Sequence, residues 1–306
     1  MLTVKDKGIL LVLATAFISG FSIFINKFGV SVINPYIFTG LKNTLVAVFL
    51  FSLLLALGKM KELRKLEKRD WLALSFIGLI GGCIPFLLFF KGLSLTNATQ
   101  AAFIHKEMFL FIAVFAFFLL RERIEKKFII GALLLLLGNV FLNKAYSFNF
   151  DDLGIGALFI LLATLFWSLE SVISKKILER LSSNIVAFGR MFFGSLLIMV
   201  FLVVTGQINL LAGITTVQIG WVLITSVFLL GYTVTWYAGL KNIPAHLAAS
   251  ILVLGAPITS LISLLSGGSL KIEDLAGVIL IILGVIVAIG MERFLRINNR
   301  TALNTQ

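Results

Sequence analysis

Three ionisable side chains follow one another, His105-Lys106-Glu107, in the middle of the apolar stretch Ala101-Ala102-Phe103-Ile104-His105-Lys106-Glu107-Met108-Phe109-Leu110-Phe111. With its flanks this stretch is long enough to cross a bilayer as a helix. A charge at that depth costs at least about 3 kcal/mol, so such groups face a cavity or a partner. Lys42, Glu170 and Arg190 also sit inside apolar runs. Cations so placed can hold a carboxylate or a phosphate; carboxylates can hold an amine or a proton. An imidazole can relay protons near neutrality or simply pack against a neighbour.

The elements that must position these groups are membrane helices. Of 306 residues, 59% are hydrophobic and 13% charged, against about half and a quarter in an ordinary soluble domain. The apolar surplus is gathered in runs of the length that spans a ~30 Å hydrocarbon core. Ten spans are expected: 8–27, 34–57, 70–93, 97–120, 126–145, 153–177, 182–205, 216–240, 244–266 and 272–293. The fold expected is an all-α integral membrane protein. The first span follows Lys5 and Lys7 like a signal sequence, but its pattern returns in the second half, so it is expected to be a retained helix.

The net charge of +12 suggests a polyanion until its distribution is traced. Nineteen of the 26 Lys and Arg residues fall in loops on one side of the spans, four on the other and three inside. That bias places both termini in the cytoplasm and removes the reason to expect nucleic acid; the membrane expected is a plasma membrane. Cys83 is the single cysteine, so the chain can form no internal disulfide and no cysteine metal site. No phosphate-binding Gly-rich loop followed by Lys is present, and no nucleophile elbow. An enzyme is not expected, nor a cofactor.

The two halves repeat. Leu13-Ala14-Thr15-Ala16-Phe17-Ile18-Ser19 matches Leu162-Ala163-Thr164-Leu165-Phe166-Trp167-Ser168; Lys27 falls opposite Lys176, and Lys42 opposite Arg190 with a shift of one. Gly92-Leu93 matches Gly239-Leu240, Ala101-Ala102 matches Ala248-Ala249, and Gly131 and Gly138 match Gly277 and Gly284. Five spans per half is odd, so the second half must enter from the opposite side. The organisation expected is two inverted five-helix repeats, 1–145 and 153–293, a linker 146–152 and a cytoplasmic tail 294–306. Inverted repeats with a site at their interface build many secondary transporters.

On these residues the chain resembles the EamA-type transporters of the drug/metabolite transporter superfamily, over nearly all of 8–293. The Lys closing each first helix, Pro35 with Lys42 in the second, Glu122 after the fourth and the Gly131/Gly138 spacing of the fifth carry the resemblance. It implies a central substrate cavity worked by alternating access, often for export of amino acids, other metabolites or drugs. Two departures stand out: Gly267-Gly268-Ser269 replaces the acidic residue in the second half, and His105-Lys106-Glu107 stands where small or hydroxyl residues are common.

Depth sorts the buried charges. Lys42, Lys106 and Glu107 lie ~12–15 Å below the outer surface at 1.5 Å per residue, forming an outer group. Glu170 and Arg190 share a depth nearer the cytoplasm, as an inner pair. Either set can line a pathway or merely bridge helices. Consecutive helical residues are ~100° apart, so Lys106 and Glu107 can share a face while His105 turns to a neighbouring helix. Gly81-Gly82 with Pro85 interrupts the third span and can border a cavity. Trp167, Tyr232, Trp236 and Tyr237 can form an aromatic wall. Asn139 is expected to make a helix–helix hydrogen bond, and His246 to be a boundary residue.

The mixed lining suits a small polar solute, an amino acid or similar zwitterion, driven by its own gradient or by protons through Glu107, Glu170 or His105. Phosphorylated or other anionic solutes, lipophilic drugs, and a non-transporting sensor or scaffold are the alternatives. Besides the bilayer and a small-molecule substrate no partner is expected, and the oligomeric state stays open.

Overall fold

The computed structural model describes residues 3–96, 98–145, 154–267 and 271–303, and among these every regular element is helical. The linker 146–152, Gly268 and Ser269 lie outside the described residues, as do the side chains of Lys27, Arg293, Arg296 and Arg300. The first half holds α1 (Val4–Val32), α2 (Pro35–Ala56), the short α3 (Met60–Arg64), α4 (Lys68–Ile77) and α5 (Ile84–Leu95). It continues with α6 (Ala98–Lys106), α7 (Met108–Leu120) and α8 (Lys126–Leu142). The second half holds α9 (Ile155–Ile177), α10 (Ser183–Val204), α11 (Thr216–Asn242), α12 (Ala245–Leu252), α13 (Gly255–Leu265) and α14 (Ile272–Leu303). α14 thus runs on through most of the stretch expected as a tail.

Nine stretches among the described residues are long and apolar enough to cross a membrane. The fifth expected span, 126–145, is shorter than its apolar run: α8 has 17 residues. Asn143 turns its side chain back onto the carbonyl and the side chain of Asn139, and Lys144 takes a left-handed φ of 52°, so the helix stops. Elsewhere the ends are set by local chemistry. Thr3 and Asp6 form a capping box at α1, and the Asn34 side chain accepts from Tyr36 and Ile37 at the start of α2, where Pro35 needs no acceptor.

The bundle is apolar outside and keeps its membrane-depth polar groups inside, set among an apolar core, the pattern a lipid solvent selects. Phe118 is 71% exposed and Val204 80%, while Asn43, Asn139, Ser168, Ser174, Thr233 and Ser250 are buried. The helices meet closely at glycines, in pairs that interchange the two halves. A Cβ at Gly92 of α5 would lie 2.7 Å from the Gly156 carbonyl of α9 and against Ile160; one at Gly239 of α11 would lie 3.1 Å from the Gly8 carbonyl of α1 and against Val12. Likewise Gly131 faces Gly284 and Gly138 faces Gly277 across α8 and α14. Close approach at small residues is what holds helices together without a hydrophobic driving force.

Two interruptions shape the interior. The third apolar run passes from α4 to α5 through a π-helical turn, Gly78–Cys83. The fourth breaks at Glu107, between α6 and α7, and the corresponding run of the second half breaks at Val253-Leu254, between α12 and α13.

Candidate functional site

The chemistry of the interior begins with a missing donor. Pro85 has no N–H to give to the carbonyl four residues back, that of Gly81. Widened into a π turn, the helix leaves that oxygen free, and it accepts from the indole Nε1 of Trp167 at 3.0 Å and from Nη2 of Arg190 at 3.1 Å. The next carbonyl, Gly82, accepts from the Asn43 amide at 3.3 Å. Both glycines are needed for the approach: a Cβ on Gly81 would collide with the Glu170 side chain, and one on Gly82 would lie 2.5 Å from the Arg190 carbonyl. Four helices, α2, α9, α10 and the interrupted third, thus meet at one polar centre.

Glu170 and Arg190 form the ion pair at that centre, with Nε 3.8 Å from Oε2 and both side chains more than nine-tenths buried. The other carboxylate oxygen, Oε1, accepts from the Tyr237 hydroxyl and the Ser174 hydroxyl, each at 2.5 Å. Glu170 is therefore well supplied with donors. Arg190 is less well met: its Nε has no acceptor within hydrogen-bond distance, and its guanidinium carbon stands 6.0 Å from the Phe86 ring centre. A buried guanidinium with a spare donor can take a second anion.

Lys42, Lys106 and Glu107 are not joined by ion pairs among the described residues. The Lys42 amine is buried, donates to Asn26 at 3.4 Å, and lies 4.8 Å from the Phe38 ring centre and 5.7 Å from that of Phe90. Lys106 is half-buried, and no hydrogen bond or ion pair joins it to a described residue. Glu107 is 9% exposed and turned to α8, where Oε1 accepts from the Asn139 amide at 2.6 Å while Oε2 has no partner. Asn139 also donates to the Phe103 carbonyl, so it is the interhelical hydrogen bond that its place in an apolar run suggests. His105 points away from both, its ring 5.1 Å from Trp167 and 5.3 Å from Phe89, with a buried Nδ1 that has no partner.

The aromatic residues divide into two groups. Trp167 packs edge-on against Phe86 and tilted against Phe89, beside His105. Tyr232 stacks on Trp236 at 6.2 Å, and no ring contact among the described residues joins the two groups. Asn43, Ser174 and the Gly81 carbonyl were not among the residues singled out by type. Pro85 four residues after Gly81 marks the carbonyl, and Ser174 four after Glu170 marks the hydroxyl.

At the end of the bundle that carries most basic loops, Glu122 is more than a family signature. Its carboxylate accepts the backbone N–H of Ala245 at 2.8 Å and of His246 at 3.4 Å, and lies 2.5 Å from the His246 ring nitrogen. It caps α12 from the other half of the chain. Burial alone would raise its carboxyl, but the His246 ring and these N–H groups outweigh burial and hold it below the ordinary carboxylate value. His246 is therefore a partner in a tie between halves as well as a boundary residue. A cleft of about 160 Å³ opens beside it, lined in part by Arg123, Lys127, Phe128 and Leu247. At the same end Arg180 reaches Asp70 at 2.8 Å, and the Lys175 amine closes α11 on the carbonyls of Leu240, Lys241 and Ile243.

A model of the EamA-like transporter family matches residues 6–144 and again residues 154–290. An uncharacterized transporter of Clostridium kluyveri is 30% identical over 237 residues, which cover 75% of each chain. Riboflavin transporter ImpX of Fusobacterium nucleatum is 28% identical over 254 residues, 79% of this chain and 84% of that one. Uncharacterized transporter YetK of Bacillus subtilis is 26% identical over 269 residues, 85% and 81%. One solved crystal structure superposes with a TM-score of 0.77 at 20% identity, over 93% of this chain and 98% of its own, a likeness of fold.

Proposed function

We propose a function from one settled premise: the chain belongs to the EamA-like transporter family and is a multi-pass membrane transporter. It moves a small polar metabolite, an amino acid or similar zwitterion, across the plasma membrane, in the outward direction. The observation that carries the substrate class is the Arg190–Glu170 centre. Arg190 has a buried donor to spare for a carboxylate, and Asn43, whose amide N–H donates to the Gly82 carbonyl of the same turn, has a buried oxygen to spare for an ammonium. Lys42 and Lys106 complete the pathway toward the other side. The paired glycine contacts and the matching breaks in the fourth run of each half support two inverted five-helix repeats. The basic loops then face the cytoplasm, with both termini. Alternating access is a rocking of the repeats that exposes the centre to each side in turn.

A flat aromatic solute is the second possibility. It is favoured by the relative named a riboflavin transporter and by the Trp167, Phe86 and Phe89 cluster next to Arg190. A thermal-shift screen in detergent against amino acids, riboflavin, sugar phosphates and lipophilic cations separates them, since a ligand of the folded state raises the melting temperature. The expected result is a shift with amino acids that disappears in Arg190→Ala. A shift confined to riboflavin selects the flat solute, and one confined to phosphates or cations ends the zwitterion assignment.

A further inference from the structure

Glu107 occupies a position unlike that of any other carboxylate among the described residues. It stands at the break between α6 and α7, is 9% exposed, and makes no hydrogen bond to the α7 backbone. Oε1 is met by Asn139, whose own oxygen is held by Asn143. Oε2 is buried without any partner. No cation among the described residues lies within ion-pair distance. Lys106, the neighbour in sequence, is unpaired with it, and the His105 ring is turned to Trp167 and Phe89. From α9, Ser168 reaches the Met108 carbonyl beside the break, while Glu170 is committed to Arg190 and the Lys175 amine to the end of α11. From α12, His246 is committed to Glu122. α8 faces Glu107 with the neutral Asn139 and Asn143, its Lys126 and Lys127 lying at its opposite end. Lys91 of α5 has an interaction of its own.

An ionised carboxylate with one oxygen unmet, away from water and without a cation, costs several kcal/mol in such surroundings. A proton on Oε2 removes that cost. Once water reaches the break, it can solvate the unmet oxygen and favour the ionised form. A carboxyl that is neutral when shut in and ionised when wetted carries a proton between the two sides. Glu170, with Arg190, Tyr237 and Ser174 all directed at it, has no such freedom.

We propose that Glu107 is the proton-binding site through which this transporter is driven. One proton joins Oε2 from the water on one side and leaves to the water on the other, with no bond to substrate and no electron transferred. The proposal rests on the transport activity of the family and not on the identity of the substrate.

Infrared spectroscopy of the protein in liposomes tests it without any substrate. At neutral pH the wild type should show the carbonyl stretch of a protonated carboxylic acid. The band should shift on transfer to D₂O and be lost in Glu107→Gln but kept in Glu170→Gln. Should Glu107→Gln not fold, Glu107→Asp should move the band in frequency. Absence of the band, its survival in Glu107→Gln, its failure to move in Glu107→Asp, or its failure to exchange in D₂O would overturn the assignment; the last would mark a sealed structural acid. Silence of the ligand screen would end the zwitterion assignment and leave the infrared result standing.

Discussion

Arg190 and Glu170 depend on each other in a way that single substitutions expose. Each is buried, and removing one leaves the other as an uncompensated charge. Glu170→Gln and Arg190→Ala are each expected to lower stability by about 3–5 kcal/mol, with the double change costing less than the sum; unfolding in detergent measures this. Trp167→Phe keeps the ring contacts with Phe86 and Phe89 and deletes the bond to the Gly81 carbonyl. Its expected cost is about 1 kcal/mol, because Arg190 still occupies that oxygen. A loss as large as that of Arg190→Ala would mean that the indole, not the guanidinium, organises the centre. The kinds of residue at the site were legible from their types, since charges in apolar runs stand out. Most of their partners were not, because Asn26 and Tyr237 reach them across helices, through distances that no spacing along the chain encodes.

At the scale of the elements, the π turn at Gly78–Cys83 and the cap of α12 each bear a prediction. Gly82→Ala would drive a methyl group into the backbone of α10 at Arg190 and Gly194. It is expected to destabilise by about 1–3 kcal/mol and to weaken whatever ligand shift Arg190 supports, read in the same thermal assay. Glu122 holds its proton less tightly in the folded protein than in the unfolded chain. Its contribution is therefore fully present above the unfolded carboxylate value of about 4.3 and is lost as pH falls through the lower folded value. Glu122→Gln should lower stability by about 1 kcal/mol at neutral pH and flatten the acid side of a melting-temperature profile. An acid limb identical to that of the wild type would show that the cap of α12 is carried by other groups. Helix positions were readable from apolar runs: 34–57 became Pro35–Ala56 and 182–205 became Ser183–Val204. The breaks at Glu107 and Val253 were not, because helix propensity changes little there and tertiary contacts decide whether the turn continues.

At the scale of the molecule, the loop charges make orientation testable. In a Cys83→Ala background, a cysteine at Lys65 should be shielded from a membrane-impermeant thiol reagent in intact cells, and one at Leu210 should react. Leu210 lies in the half-exposed segment Gln207–Gly213 on the opposite end from the basic loops. The reverse labelling pattern would turn the bundle over and reverse the direction proposed for transport.

What the sequence by itself determined is whatever follows from composition, period and count: a membrane bundle, two related halves, and ionisable groups at membrane depth. Hydrophobic runs report length directly, and matching glycines report repetition directly. Only the tertiary structure decided which of those groups meet. It brought Glu170 to Arg190, placed Lys42 among phenyl rings, turned His105 to Trp167, and left Glu107 with one oxygen unmet. Those outcomes depend on helix rotation and on the carbonyl that Pro85 releases to α9 and α10. Rotation is set by close packing at Gly92, Gly156, Gly8 and Gly239, contacts between residues far apart in the chain.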